Sequence, residues 1–562
     1  MNTFTRKYSP QSILEATGPV RSVPDLLNGD LLLQKLADAV TDEGDLTIYG
    51  DYDADGIMAV YILYASLLRL KKDGVHWFIN NRYDDGYNIT VSSMQKCLSR
   101  YPETKTLITC DNGINAADAV CFALKQDVTV LVTDHHIQTI PLPEECPFLD
   151  EKAIIQTEKD LANGVTPEEF CGAELARRVV FSLYERLGCA KEHAAFLESL
   201  YAYAGLATIT DHVPMNPANH YVARKGLQII QKGEGFWGFL KEEFLGKSAA
   251  IHGDTIGFYY GPLLNASGRM TGEATHAVNM LLSYDGGNEQ DCRRAIRALV
   301  ELNLMRRELC AHDDCVALDM IEAQNLSSHP FILVWSDDFS EGVNGLTATH
   351  LTERFQVPCA VLSPTKNDPD VFKGSARSVE GANLIHLLQA HADLVQAGGH
   401  AMAAGLSIRR ENLETVRTLL ARDMRDFQPV PEKEPDFSYQ VSALTMRDVE
   451  FQDELIKTYE PFGPGFEEPR VTFTGRVNAL WEKKKKDSAE LVHAQFPMGK
   501  SADNYFVNAN WWNHLADAKK WFSPGKILRC FGKVSRNEYT DREGRTRVSI
   551  QITIQKVDAR AV

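Results

Sequence analysis

Short apolar runs alternate with stretches of helical spacing over the first third of the chain. Leu46–Tyr49 is an apolar run ending at Gly50, and a helical pattern follows from Gly56 to about Leu70. Val75–Ile79, Thr106–Cys110 and Val128–Thr133 read as further strands, with a helix over Ala116–Lys125 between the last two. Strands separated by helices of this length predict a parallel, doubly wound sheet, whose ligands gather at the carboxyl ends of its strands. Before it, residues 1–45 form a helical lead-in, with helical spacing over Leu31–Val40. After it, Phe170–Leu187 and His193–Ala207 read as helices.

A helical pattern with little Gly and no Pro then runs from Asn288 to Gln324, long enough to bridge two domains. A second α/β pattern follows: strand Phe331–Trp335, helix Gly345–Phe355, strand Cys359–Leu362, helix Gly381–Ala390, and the glycine-rich Ala397–Gly405. Residues 427–437 carry three prolines and mixed charge, a linker composition, and Glu460–Pro469 is a second break. Five strands close the chain: Val471–Leu480, Glu490–Phe496, Asn504–Asn510, Lys526–Tyr539 and Arg545–Val557, with a helix at His514–Trp521. That order predicts an OB-like barrel, a fold that often binds single strands. The expected domains are therefore 1–45 (lead-in), 46–287 (first α/β domain and bridging region), 288–325 (long helix), 326–426 (second α/β domain), 427–469 (linker) and 470–562 (barrel).

Composition adds three constraints. A chain of 562 residues, 44% hydrophobic, holds several cores and is neither fibrous nor disordered. No apolar run reaches membrane-spanning length and the polar N-terminus lacks a secretory pattern, so no membrane partner is expected. The eleven cysteines show no C-x-x-C or paired Cys/His spacing. They read as reduced thiols of a cytoplasmic protein, and no structural zinc site is expected. The net charge of −17 is unevenly spread: Arg470–Val562 holds 18 Lys and Arg against 9 Asp and Glu, a net +9, and the remainder holds 41 against 67, a net −26. A basic end on an acidic body points to a polyanion.

Four segments concentrate chemistry. In Tyr49–Gly56 (YGDYDADG), Asp51, Asp53 and Asp55 alternate directly after a strand, and converging carboxylates suit hard divalent cations. The same residues would also serve as a solvated loop or a helix start. Asp111 follows the strand ending at Cys110 and, taken alone, reads as an N-cap. Val132–His136 (VTDHH) ends a strand in Asp134, His135 and His136; imidazole beside carboxylate suits Mn²⁺ over Ca²⁺. Asp211, in Ile209–Met215, reads alone as a cap. Together they place acids and imidazoles at the carboxyl ends of several strands of one sheet. Such a set can hold two cations about 4 Å apart, the arrangement that serves hydrolysis of a phosphate ester.

These segments, in this order, resemble the four motifs of the DHH phosphoesterase superfamily, and YGDYDADG resembles the first motif of its RecJ exonucleases in particular. The likeness continues through Gly261–Met270 (GPLLNASGRM), Leu299–Arg307 (LVELNLMRR), Gly374–Ser378 (GSARS), Gly398–Gly405 (GGHAMAAG) and Pro461–Pro469 (PFGPGFEEP). It implies a metal-dependent exonuclease for single-stranded DNA, acting 5′ to 3′ and releasing mononucleotides in DNA repair or recombination. A single-strand-binding protein or a helicase is the implied kind of protein partner. Two Mn²⁺ or Mg²⁺ ions are the implied cofactors, with Asp53, Asp55, Asp111, His135 and Asp211 as ligands and Asp111 between the ions. Asp51 and His136 are implied beside them, His136 facing the scissile phosphate. Asn265, Arg269, Ser375, Arg377, Gly398, Gly399 and His400 match positions that contact the nucleic acid.

On physical grounds Arg offers a planar fork for phosphate oxygens, and a Gly-Gly-His turn would expose N–H groups as an anion nest. In the basic end, Lys483, Lys484, Lys485 and Lys486 fall at a hairpin tip, and Phe506, Trp511, Trp512, Phe531 and Tyr539 supply faces for bases, at least half of them expected in the core. Three departures stand out. Tyr49 sits where many members of the superfamily have a metal-binding His, the stretch after VTDHH lacks the usual Asn-Pro pair, and His212 replaces a small apolar residue. Two other readings are a phosphodiesterase for short oligonucleotides or small phosphoesters, and a non-catalytic replication or repair scaffold.

Overall fold

The computed structural model describes residues 6–18, 22–26, 28–71, 73–86, 88–150, 169–365, 368–428, 430, 434–484, 491–512, 514–540 and 545–557. The chain divides into two compact units. One gathers Pro19–Val213 and Lys225–Pro431; the other gathers Met1–Gly18, Pro214–Arg224 and Glu432–Val562.

In the first unit, β1 (Asp45–Gly50), β2 (Val75–Ile79), β3 (Thr104–Cys110), β4 (Thr129–Asp134) and β5 (Phe148–Asp150) form a wholly parallel sheet in the order β2-β1-β3-β4-β5. The apolar runs seen in the sequence are its central strands, buried on both faces as a parallel sheet requires. The strand order reverses between β1 and β3. That is the switch point where a crevice opens at the carboxyl edge. Helix α1 (Ala54–Lys71) follows β1 directly and is buried almost all round, because α2 (Gly172–Arg186) and α3 (Tyr201–Thr210) pack on it. The expected helix His193–Ala207 is broken at Leu200 into two, Ala194–Ser199 and α3.

The long helix α4 (Glu289–Ala323) has 35 residues and is capped by the Asn288 side chain, which accepts from the Gln290 and Asp291 N–H groups. Beyond it, β6 (Ile332–Trp335), β7 (Cys359–Pro364), β8 (Val371–Arg377), β9 (Val395–Gly399) and β10 (Ala403–Arg409) form a mixed sheet in the order β6-β7-β8-β10-β9, with α5 (Asn344–Phe355) between β6 and β7. Gly374–Arg377 of GSARS lie in strand β8. Gly398 and Gly399 are not a turn: they pair with Gly405 and Ala404 as the end of β9. The turn is His400–Met402, and the His400 N–H is occupied by Ala403 O at 2.8 Å, so that N–H is not open to an anion. The helix expected at Gly381–Ala390 spans only Leu384–Gln389, because the Asn383 side chain caps it by accepting from the His386 N–H.

In the second unit the stretch read as a linker carries β11 (Phe437–Gln440) and α6 (Met446–Tyr459), the latter opened by a reciprocal capping box between Thr445 and Asp448. Three prolines masked this order; they precede it, and α6 itself has none. The sheet runs β11-β12-β16-β17-β15-β14-β13, with β12 (Val471–Arg476), β13 (Trp481–Lys484), β14 (Leu491–Lys500), β15 (Phe506–Trp511), β16 (Ile527–Thr540) and β17 (Thr546–Val557). Its end strands, β11 and β13, do not pair with each other among the described residues, so the sheet is OB-like but not a closed barrel.

With the sheet open, fewer aromatics enter the core than expected. Phe531 is buried and Trp511 half-buried, while Trp481, Phe506, Trp512 and Tyr539 are exposed. Lys483 and Lys484 are exposed at the end of β13; Lys485 and Lys486 lie outside the described residues.

Candidate metal centre and cleft

The carboxyl ends of β1, β3 and β4 deliver the acidic motifs to one point. After β1 the chain turns into α1, and Asp53 starts that helix: its Oδ1 accepts from the Asp55 and Gly56 N–H groups at 3.0 Å. The helix-start reading of this motif therefore holds. Gly56 serves close approach, since a Cβ there would stand 2.5 Å from the Asp51 carbonyl oxygen. Asp55 is buried, and the N–H groups of Gly172 and Ala173 at the start of α2 donate to its two oxygens at 2.7 Å each. Free N–H groups and the positive end of a helix dipole thus fix its orientation.

Asp111, after β3, takes the left-handed backbone conformation at φ 60° and is buried. It is not an N-cap, because the next helix begins at Ala117. Asp211 does end α3, its N–H bonded to Ala207 O, yet its carboxylate reaches His135.

His135 is the hub. Its Nε2 lies 3.1 Å from Asp111 Oδ1, 3.6 Å from Asp211 Oδ2 and 3.7 Å from Asp55 Oδ2. Here, among the described residues, three overlapping groups have ligand atoms within 4.8 Å of one another: Asp55, His135 and Asp211; Asp51, Asp53 and Asp111; and Asp111, His135 and His136. Asp111 belongs to two of them. All five residues expected as ligands come together, and Asp51 joins them at ligand distance.

Burial first, then neighbouring carboxylates, holds Asp51 and Asp111 well above the ordinary carboxylate range. Asp55 is raised by burial too, with His135 opposing and Asp53 adding to the shift. Asp111 Oδ1 is buried with no hydrogen bond reaching it. An oxygen-rich set with one imidazole, in which a central carboxylate oxygen has no donor, fits Mn²⁺ or Mg²⁺.

Asp134 is the residue to which the motifs alone assign no role. It accepts from the Ile114, His135 and His136 N–H groups, at 2.9, 2.7 and 3.1 Å, and from His136 Nδ1 at 2.7 Å. Burial works against its charge, but the bond to His136 and the charges of the two imidazoles hold it below the ordinary range. Burial likewise works to lower His136, but the Asp134 hydrogen bond prevails and brings it up to about 9, an imidazolium at neutral pH. Asp134 sits inside VTDHH, and the available signal is an aspartate two residues before a histidine at a strand end. Tyr49, by contrast, is core. It is fully buried, packs edge-on against Phe78 and donates its hydroxyl to Asn80 Oδ1.

A cleft of about 930 Å³ opens beside the cluster. Asp53 and His136 line it, together with Asn265, Arg269, Ser375, Arg377, Gly398, Gly399 and His400. Arg82 and Lys373 stand there too, unforeseen. Arg82 lies in the loop after β2, and the carboxyl end of a strand in this sheet was the available clue. Burial first, then the charges of Arg82, Arg306 and Arg377, pushes the Arg269 guanidinium down to about 9. Crowded cations around one hollow make an anion site. Lys483 and Lys484 belong to the other compact unit.

Two domain families match this architecture: the DHH family N-terminal domain over residues 45–212 and the DHHA1 domain over 329–426. The single-stranded-DNA-specific exonuclease RecJ of Bacillus subtilis is 28% identical over 522 residues, spanning 91% of this chain and 61% of that protein. The protein of the same name from Haemophilus influenzae is 28% identical over 500 residues, 84% of this chain and 83% of that one. A crystal structure of RecJ from Thermus thermophilus in complex with Mn²⁺ has the same fold, with a TM-score of 0.73 at 21% identity, covering 97% of this chain and 73% of that one. Fold and site thus define a protein of the DHH–DHHA1 class. Within that class, the chain is similar over most of its length to the RecJ exonucleases.

Gly172 tests the geometry without altering a ligand side chain. A Cβ there would meet Asp111 Cβ at 2.5 Å and its Oδ1 at 2.8 Å. Gly172→Ala is expected to weaken Mn²⁺ binding by about 10–100-fold in calorimetry, the scale of losing an outer-shell support. Asp111→Asn is expected to weaken it further while the metal-free protein remains at least as heat-stable as the wild type, because a buried carboxylate is removed. Unchanged Mn²⁺ affinity in both variants contradicts the assignment.

Proposed function

We propose that the chain is a metal-dependent exonuclease that hydrolyses single-stranded DNA from a free 5′ end, releases mononucleotides and serves DNA repair or recombination. The observation that carries this reading is one cleft lined both by members of the carboxylate–imidazole cluster and by buried arginines. The names of the relatives, single-stranded-DNA-specific exonucleases, support the substrate.

Two divalent cations, Mn²⁺ or Mg²⁺, held by Asp51, Asp53, Asp55, Asp111, His135 and Asp211, would neutralise phosphoryl charge and lower the pKa of the attacking water. Asp111, which belongs to two of the groups, would serve both positions. His136, charged at neutral pH with Nδ1 fixed by Asp134, turns Nε2 to the scissile phosphate, where it stabilises developing negative charge. Arg269 and Arg377 grip backbone phosphates, with Asn265, Ser375 and His400 as neutral partners. A scaffold without catalysis would not need so many buried carboxylates around one unbonded oxygen.

The OB-like unit captures the strand. Trp481, Phe506, Trp512 and Tyr539 offer exposed faces, each stacked base contributing about 1–3 kcal/mol. Lys483 lies 5.9 Å from the Trp481 ring centroid and Lys500 5.0 Å from that of Phe506, so charge stands beside two of these faces. A single-strand-binding protein or a helicase delivering such strands is the proposed kind of partner. Among the described residues no helix is long and apolar enough to cross a membrane.

Labelled strands test the chemistry. With Mn²⁺ or Mg²⁺ present, a 5′-labelled single strand should release labelled mononucleotide first, and EDTA should stop the release. A circular single strand and a blunt duplex should resist. Faster turnover of dinucleotides than of long strands would favour the small-substrate reading instead. His136→Ala should lower kcat by about 100-fold or more with Mn²⁺ binding retained.

Salt dependence tests the capture. Replacing Lys483–Lys486 by Ser should weaken binding to long single strands and flatten the slope of log K against log salt by about 0.7 for each lysine on a phosphate. An unchanged slope rules these lysines out.

A further inference from the structure

Outside the cleft, among the described residues, one cluster combines a thiol, an imidazole and a carboxylate. Cys310 and Asp314 lie four residues apart on one face of α4, and His350 faces them from α5. The His350 Nδ1 is 2.7 Å from Asp314 Oδ2 and 3.9 Å from Cys310 Sγ, and the three ligand atoms fall within 4.8 Å of one another. Cys310 is buried, Asp314 is partly buried with no hydrogen bond to its buried Oδ1, and His350 is about half exposed. This group is invisible in the sequence, because Cys310 and His350 are forty positions apart and no local Cys/His spacing exists.

We propose that Cys310, Asp314 and His350 form a second metal site, separate from the carboxylate centre, that takes a thiolate-seeking tetrahedral ion, Zn²⁺. Thiolate, imidazole and carboxylate are the donors zinc uses, at about 2.3, 2.0 and 2.0 Å, and the exposed side of His350 leaves the fourth position to water. A tetrahedral ion with such bonds holds its donors about 3.3–3.6 Å apart. The Cys310–His350 gap closes by a few tenths of an ångström and the Asp314–His350 hydrogen bond opens by slightly more, with the ion replacing the proton between them. Both movements fall on side chains, because the helices are fixed beneath. Ala317 and Ile321 of α4 share a core with Ala348 and Leu351 of α5, and the Ser340 N–H donates to Asp313 Oδ2 at 2.9 Å. The ion would join the long helix to the domain that carries Ser375 and Arg377, stiffening the phosphate side of the cleft. Neither ion type suits the other's site: the carboxylate centre has no thiolate, and this one has too few oxygens for Mg²⁺.

Cobalt(II) reads the site directly, because a Co²⁺–thiolate bond gives an intense near-ultraviolet charge-transfer band that oxygen and nitrogen ligands do not. The full-length protein, saturated with Mg²⁺ and titrated with Co²⁺, should develop this band to one equivalent, and Zn²⁺ should bleach it. Cys310→Ser, verified as folded by circular dichroism, should lose the band. His350→Ala should weaken Co²⁺ binding at least 10-fold, and Asp111→Asn should leave the band intact. No band in the wild type, or an undiminished band in Cys310→Ser, overturns the proposal. Loss of the band in Asp111→Asn also overturns it, since the band would then depend on the carboxylate centre and not on this cluster alone.

Discussion

Several carboxylates have been carried out of water to a single point, and the rest of the molecule is arranged around that fact. Asp51, Asp55 and Asp111 are each nearly inaccessible, and each is pushed upward from its ordinary pKa first by burial. Without a cation the fold holds mutually repelling groups in a medium that solvates them poorly. A divalent ion reverses the sign of the problem: the closeness that raises the pKa values becomes coordination. The cluster is thus a cost to the metal-free protein and an asset to the loaded one, the usual relation between a functional site and the stability of its scaffold.

Rigid elements bear that cost. Strands β1 and β3 are parallel neighbours at the switch point, so Asp53, Asp55 and Asp111 converge without long loops. The start of α2 supplies two N–H donors to Asp55 and, through Gly172, the space for Asp111. Asp134 performs a quieter service. It accepts three backbone N–H groups and one imidazole, which fixes the direction of both histidines at once. Around the cleft the crowded arginines repeat the logic with opposite sign: Arg269 is costly while the hollow lacks an anion and favourable once a phosphate arrives.

Much of this was legible in the sequence, for a physical reason. A buried parallel strand needs an unbroken apolar run, and its functional residue must follow that run immediately; YGDYDADG, CDN and VTDHH each show both features. The long helix announced itself by 35 residues without a breaker. What stayed hidden depended on partners far along the chain. Strands β8 and β10 read weakly because their Gly, Ala and Ser residues carry little β preference, and only pairing with each other makes them strands. The N-terminal segment looked like a loose lead-in, yet Arg6 forks onto Asp436 at 2.8 and 2.9 Å across more than four hundred residues. Arg82 and Lys373 reach the cleft from loop and strand positions whose side-chain direction no periodicity reveals.

In the proposed function the OB-like sheet captures and the carboxylate cleft cuts, and the cutting half rests on Asp111 serving two ions. Anomalous X-ray scattering at the manganese edge, from crystals of the full chain grown with Mn²⁺, examines this directly. The account predicts two peaks about 4 Å apart with Asp111 between them, His135 and Asp211 on one side and Asp51 and Asp53 on the other. A single peak, or two peaks of which only one touches Asp111, would contradict it.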